Sequence, residues 1–88
     1  MQLSNARAVI TGGVSGLGLA VAQYLVANGG KVALFDVNAD KGASAVAELG
    51  EGNARFWSTD VTDEAAVVAN VAEANEFLGG LNVVMNCA

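Results

Sequence analysis

An apolar run, Ala8-Val9-Ile10, passes through Thr11 into Gly12-Gly13-Val14-Ser15-Gly16-Leu17-Gly18 and then into a stretch with helical spacing. A buried strand, a turn with little side chain and a helix start together make an anion site. The free N–H groups and the positive end of the helix dipole both point at the turn. Glycine lets a diphosphate touch the main chain, because no Cβ stands in the way. The spacing departs from the generic G-x-G-x-x-G fingerprint. Its glycines are Gly12, Gly16 and Gly18, with three residues between the first two, so the turn is longer. Glycines also punctuate ordinary loops. Context favours nucleotide binding: a strand before the turn, a helix after it, and an acid, Asp36, where the next strand ends.

Taken in order, the chain alternates strand and helix. Arg7 to Thr11 is a first strand, continuously apolar as in parallel sheets covered on both faces. Leu17 to about Asn28 is a helix in which Leu17, Ala20, Val21, Tyr24 and Leu25 recur at helical spacing, stopped by Asn28-Gly29-Gly30. Lys31 to Asp36 is a second strand, and Asn38 or Asp40 caps a helix ending near Gly50. Arg55 to Thr59 is a third strand. Thr62 caps a third helix with Asp63 and Glu64 in its first turn, and its apolar side is Val67 or Val68, Val71, Ala74 and Leu78. Leu81 to Cys87 is a fourth strand. The β-α-β-α-β-α-β pattern predicts an α/β fold: a partial, Rossmann-type, doubly wound parallel sheet with strand order 3-2-1-4. Ligand then sits at the C-terminal ends of strands one and four, where the winding reverses. The glycine turn, Asp36, Asp60 and Cys87 all fall at strand C-termini.

Composition narrows the function. Eighty-eight residues make one small domain at most, and 53% apolar content is that of a packed core. With four basic residues and a net charge of −5 there is no basic patch for nucleic acid or for anionic lipid. No apolar run approaches the length of a bilayer-spanning helix, and Met1-Gln2-Leu3-Ser4-Asn5 lacks the pattern of a signal peptide. One cysteine makes no internal disulfide, and no histidine is available for a metal site. The expected location is cytoplasmic.

These residues resemble the short-chain dehydrogenase/reductase family. Its Thr-Gly-x-x-x-Gly-x-Gly appears as Thr11, Gly12, Gly16 and Gly18, its Asp-Val pair as Asp60-Val61, and its Asn-x-Ala-Gly as Asn86-Cys87-Ala88, one residue short. Ser15-Gly16-Leu17-Gly18-Leu19, Asp60-Val61-Thr62 and Asn86-Cys87-Ala88 look most like its type-2 3-hydroxyacyl-CoA dehydrogenase branch. The resemblance implies an NAD site. Gly12, Gly16 and Gly18 admit the pyrophosphate, while Ser15 and the Leu17 N–H donate to it. Asp36 accepts from the adenosine ribose hydroxyls and, with no Arg after it, disfavours a 2′-phosphate. Asp60 and Val61 border the adenine, and Cys87 and Ala88 lie against the adenosine half. It also implies a secondary alcohol or ketone substrate, such as a 3-hydroxyacyl thioester, a hydroxysteroid or a 3-oxoacyl thioester, and a homo-oligomer, often a tetramer. The family's catalytic Ser, Tyr and Lys have no counterpart here. The chain is thus expected to be the cofactor half, residues 1–88, of a longer enzyme, inactive alone, with Val83, Val84 and Met85 on an exposed edge.

Plainer readings stand beside these. Asp36 also suits a solvated turn, and Asp60 a helix-dipole residue. Cys87 is most simply a small hydrophobe touching cofactor, and Phe56 and Trp57 are packing residues. Tyr24 is assigned to packing, since Asn28 stands where a catalytic Tyr-x-x-x-Lys needs lysine. The competing functions are an S-adenosylmethionine-binding domain, which usually carries an acid where this chain has Thr11, and a non-catalytic nucleotide sensor.

Overall fold

In the computed structural model, which describes residues 2–87, the apolar runs pair side by side as one parallel sheet. Strands β1 (Arg7–Thr11), β2 (Lys31–Asp36), β3 (Ala54–Ser58) and β4 (Val83–Asn86) alternate with helices α1 (Gly16–Ala27), α2 (Ala39–Leu49) and α3 (Glu64–Leu78). A short 3-10 turn, Leu3–Asn5, precedes β1. The sheet order is β3-β2-β1-β4, the order expected of a doubly wound sheet. Thr11 lies opposite both Phe35 and Asn86, and Asp36 opposite Ser58, so the strand C-termini form one rim.

Strand alternation divides the core in two. Ala8, Ile10, Val32, Leu34 and Ala54 point toward α1 and α2, with Phe56 packed against them. Val9, Ala33 and Phe35 point to the other face, where Ala74 and Leu78 of α3 cover them. Phe35, Ile10, Leu34, Val9 and Val32 are the largest fully buried side chains, and all belong to β1 and β2. Each contributes about 1.5–3 kcal/mol by burial, so this central pair anchors the fold. The second face is closed by an aromatic chain. Trp57 meets Phe35 at 5.9 Å and Phe77 at 6.1 Å, both edge-to-face, and the Arg55 guanidinium lies 4.8 Å over Phe77. Phe56 and Trp57 are therefore packing residues on opposite faces.

Several local expectations need correction. The buried line of α1 is Gly18, Ala22 and Leu25, at i, i+4 and i+7, whereas Leu17 and Tyr24 are 70% and 61% exposed. Apolar residues surround this helix on all sides, so spacing did not single out a face; the small ones face the sheet because close approach requires them. Tyr24 is thus not a packing residue. Asp63, not Thr62, caps α3, its side chain accepting from the Ala66 N–H, because the Thr62 amide and hydroxyl are both taken by Asp60. Val67 is half-buried on α3, while Val68 is exposed. β3 starts and ends one residue early, and β4 is shorter than expected, Leu81 N–H donating to the Asn75 side chain and Asn82 to the Asn5 carbonyl. β4 is the edge strand expected, but along it the side chains of Val84 and Asn86 are exposed, whereas Val83 and Met85 pack against the α1–α2 core.

Gly42 is buried where α2 crosses Phe56, and a Cβ there would stand 2.5 Å from the ring. Alanine gains about 1 kcal/mol of helix propensity there, against an overpacking cost of about 1–3 kcal/mol. Gly42→Ala is therefore expected to lower stability in urea unfolding followed by Trp57 fluorescence. Gly52→Ala, which meets nothing within 4 Å, is expected to leave the midpoint unchanged or raise it.

Candidate nucleotide-binding site

The glycine turn is fixed at both ends by main-chain contacts. The Gly12 and Gly13 amides donate to the Phe35 carbonyl at 2.8 and 3.4 Å, which ties the turn to β2. Gly12 and Gly16 have positive φ, at 67° and 55°. A Cβ on Gly18 would collide with the carbonyl oxygen of Gly12, so α1 rests directly on the turn. Around Gly16 nothing lies within 4 Å of where a Cβ would be, leaving the top of the turn open. Sequence reasoning gave Gly13 no role, yet its Cβ would stand 2.9 Å from the Ile10 carbonyl oxygen and 3.0 Å from Leu34. The Gly12-Gly13 doublet was the available signal.

Ser15 is the N-cap of α1, in extended conformation, and its side chain makes no capping hydrogen bond. No acid stands in the first turn. The opening amides of α1 thus meet solvent without a side-chain acceptor, at the positive end of the helix dipole. Leu17, beside Gly16, projects outward.

Across the rim, Asp36 closes β2. Its Oδ1 accepts from the Val37 N–H at 2.7 Å and its carbonyl from Thr59 N–H at 2.8 Å. Asp60 follows Thr59 and accepts from both the hydroxyl and the N–H of Thr62, at 2.7 and 2.9 Å. Those two bonds, the hydroxyl first, hold the Asp60 carboxyl below its ordinary value of 3.8. Gly12, Phe35, Asp36, Val37, Thr59, Asp60 and Val61 line one cleft of about 160 Å³. Pockets for whole drug-sized ligands run from ~300 Å³ upward, so this cleft has room for one ring system of a larger molecule. It brings together Gly12, Asp36, Asp60 and Val61 from the residues singled out in the sequence. It also adds Phe35, Val37 and Thr59, the last held by Trp57 O and the Asn70 side chain. Ser15 lies instead on an adjoining groove between α1 and α2. Cys87 is half-buried, its N–H donating to the Thr11 carbonyl at 3.0 Å, and does not line the cleft. Ala88 lies outside the described residues. Thr11 Oγ1 donates to Asn86 Oδ1 at 2.9 Å, tying the ends of β1 and β4 at the point where the winding reverses.

A bare main-chain turn under a helix start, with a carboxylate on the neighbouring strand end, is a geometry that fits a dinucleotide. The family model described as short chain dehydrogenase matches residues 6–88. The chain belongs to the short-chain dehydrogenase family. It is 44% identical over 81 residues to the 3-hydroxyacyl-CoA dehydrogenase type-2 of Rattus norvegicus, covering 92% of this chain and 31% of that protein. It is 41% identical over 87 residues to the 3-beta-hydroxysteroid dehydrogenase of Comamonas testosteroni, covering 99% of this chain and 34% of that one. The crystal structure of 3-hydroxyacyl-CoA dehydrogenase type-2 from Mycobacterium avium superimposes with a TM-score of 0.85 at 40% identity, over 98% of this chain and 33% of that one. The chain thus spans about a third of the length of these relatives. Among the described residues of this short-chain dehydrogenase no helix is long and apolar enough to cross a membrane, and no group of acids and cysteine is placed to hold a metal.

Gly18→Ala is expected to cost about 1–3 kcal/mol in urea unfolding, as backbone must move to admit the methyl. Gly16→Ala, with open space but positive φ, is expected to cost about 1–2 kcal/mol by the same measurement. Thr62→Val removes the larger of the two influences on Asp60, so the Asp60 midpoint in an NMR titration is expected to rise toward 3.8. Because folding lowers this pKa, the associated stability is full above the unfolded value and is lost as pH falls through the folded one. The stability lost in Thr62→Val is therefore full above the unfolded value and vanishes in acid, which urea unfolding at neutral and at low pH checks.

Proposed function

We propose that the chain binds NAD(H) as the cofactor half of an oxidoreductase interconverting a secondary alcohol and a ketone. The observation that carries this is the shared cleft of Gly12 and Asp36, a bare glycine facing a carboxylate at the C-terminal ends of β1 and β2. The diphosphate lies over Gly12, Gly16 and Gly18, with the Ser15 hydroxyl and the Leu17 N–H donating to it. Fit is supported by the Gly18 contact, which brings the helix start against the turn, and by the open space above Gly16. Asp36 accepts from the ribose hydroxyls, and Asp60 with Val61 borders the adenine in the apolar cleft made by Phe35 and Val37. The resemblance assigns Cys87 and Ala88 to the adenosine half as well, Cys87 from beside the cleft rather than within it.

When bound, the nicotinamide supplies a hydride acceptor or donor. The chain's own residues bind and orient it, and since none of them matches the family's catalytic Ser, Tyr and Lys, residues 1–88 are expected to bind cofactor without turnover. Tyr24 is exposed on α1, with Asn28 four residues on, and serves no such role. The names of the relatives support a 3-hydroxyacyl thioester first and a hydroxysteroid second. We place the enzyme in the cytoplasm as a homo-oligomer, a tetramer as the resemblance implies. An S-adenosylmethionine site is disfavoured because Thr11 precedes the first glycine, and its hydroxyl is spent on Asn86.

A carboxylate accepting from two hydroxyls contributes roughly 1.5–3 kcal/mol. Asp36→Ala is therefore expected to weaken NADH, titrated by its fluorescence enhancement, by roughly ten- to a hundredfold. Unchanged affinity would overturn the assignment.

A further inference from the structure

The last turn of α1 ends on a chemically labile pair. Of the chain's asparagines, only Asn28 is followed by glycine. An asparagine side chain is open to attack by the main-chain nitrogen of the next residue, and glycine offers no side chain to hinder the approach. Asn28 and Gly29 are both exposed, so water reaches them. Neither takes part in the nucleotide site.

The helix end engages both reacting groups. The Gly29 N–H, whose nitrogen is the nucleophile, donates to the Val26 carbonyl at 3.0 Å. The Asn28 side-chain amide, the group attacked, donates through Nδ2 to the Tyr24 carbonyl at 2.8 Å. Closing a ring between them releases both bonds, because the nitrogen gives up its proton and the amide swings away from Tyr24. The residues that follow are tied down separately. Gly30 is buried and its N–H donates to the Leu25 carbonyl at 2.8 Å, while the Lys31 N–H donates to the Ala6 carbonyl at 3.0 Å. Opening can therefore stop at Asn28 and Gly29 without releasing β2.

We propose that Asn28 is a site of spontaneous deamidation, gated by local opening of the last turn of α1. In the opened turn the Gly29 nitrogen loses its proton and attacks Asn28 Cγ. The new N–C bond forms, the Cγ–Nδ2 bond breaks, and the amide leaves as ammonia with that proton. Water then opens the cyclic imide at either carbonyl, leaving an aspartyl or an isoaspartyl residue. No oxidant or reductant takes part. Either product weakens the helix end. The carboxylate has no N–H for the Tyr24 carbonyl, and it puts negative charge at the negative end of the α1 dipole, where the last turn holds no basic residue. The isoaspartyl form also lengthens the main chain between α1 and β2. The change lies at the far end of the helix from the glycine turn, so stability falls while the nucleotide site stays in place.

The test incubates the full chain at neutral pH, folded and in urea, and follows tryptic peptides by mass spectrometry. Asn28 is the only asparagine in the peptide from Ala8 to Lys31. That peptide is expected to gain the mass of an amide-to-acid exchange and to split into aspartyl and isoaspartyl forms. Releasing the hydrogen bonds to Val26 and Tyr24 corresponds to a folded rate roughly ten- to a hundredfold below the rate in urea. Gly42→Ala, which lowers stability from α2, is expected to leave the folded rate unchanged, and Gly29→Ala is expected to slow conversion in urea. Asn28→Asp is expected to lower the urea midpoint at neutral pH, with added salt recovering part of the loss. Conversion in neither state, or undiminished conversion in Gly29→Ala, would overturn the site. Equal rates in both states, no conversion in the folded chain, or a folded rate that rises in Gly42→Ala would overturn the local gate. An unchanged midpoint in Asn28→Asp would overturn the weakening.

Discussion

The contact between Gly18 and the Gly12 carbonyl governs the arrangement of the rest. It exists only because Gly18 has no side chain, and it seats α1 on the turn that leaves β1. The opening amides of the helix are thereby brought to the rim of the sheet without any side chain reaching out for a ligand. The other end of the turn is held by Phe35, whose carbonyl accepts from Gly12 and Gly13 while its ring is buried under Trp57 and α3. One residue thus links the turn to both its neighbouring strand and the far face of the core.

The two faces of the sheet solve different packing problems. Toward α1 and α2 the helices bury small residues, Gly18, Ala22, Gly42 and Ala45, and come close. Toward α3 the space is filled by aromatic rings in edge-to-face contact. The close face fixes the glycine turn. The aromatic face fixes β3 and Thr59, which donates its N–H to Asp36 and so sets where Asp60 leaves the sheet.

Much of this was legible in the sequence because parallel strands are continuously apolar and glycine has few substitutes. The runs at residues 8–10 and 32–35 named the buried pair, and alternation with helices, read as a doubly wound sheet, led to the strand order found. Gly12, Gly16, Gly18 and Asp36 stood out because their types are chemically unusual at those positions. What spacing did not reveal depends on atoms meeting across sequence distance. The face of α1 was hidden because its outward positions are as apolar as its inward ones, Leu17 and Tyr24 among them. The α3 cap moved from Thr62 to Asp63 because Asp60 captures Thr62 first. Gly13 and Gly42 matter through Ile10, Leu34 and Phe56, which no local pattern names.

The charge inventory explains why the site has to be made of main chain. With nine acidic and four basic residues, and three of the basic ones engaged away from the rim, side-chain cations cannot dominate the field over the turn. Asp36 and Asp60 both stand nearby, and Asp60 is held in its charged form by Thr62. A diphosphate placed there must gain more from aligned amides than it loses to those carboxylates. Backbone N–H groups and the helix dipole act at contact distance, where ionic screening is weakest, whereas the carboxylates act across the cleft through solvent. The same carboxylates then favour a ligand that offers hydroxyls beside Asp36. An acidic site can in this way hold an anion, provided the anion is gripped by the chain itself and its neighbouring sugar by the acid.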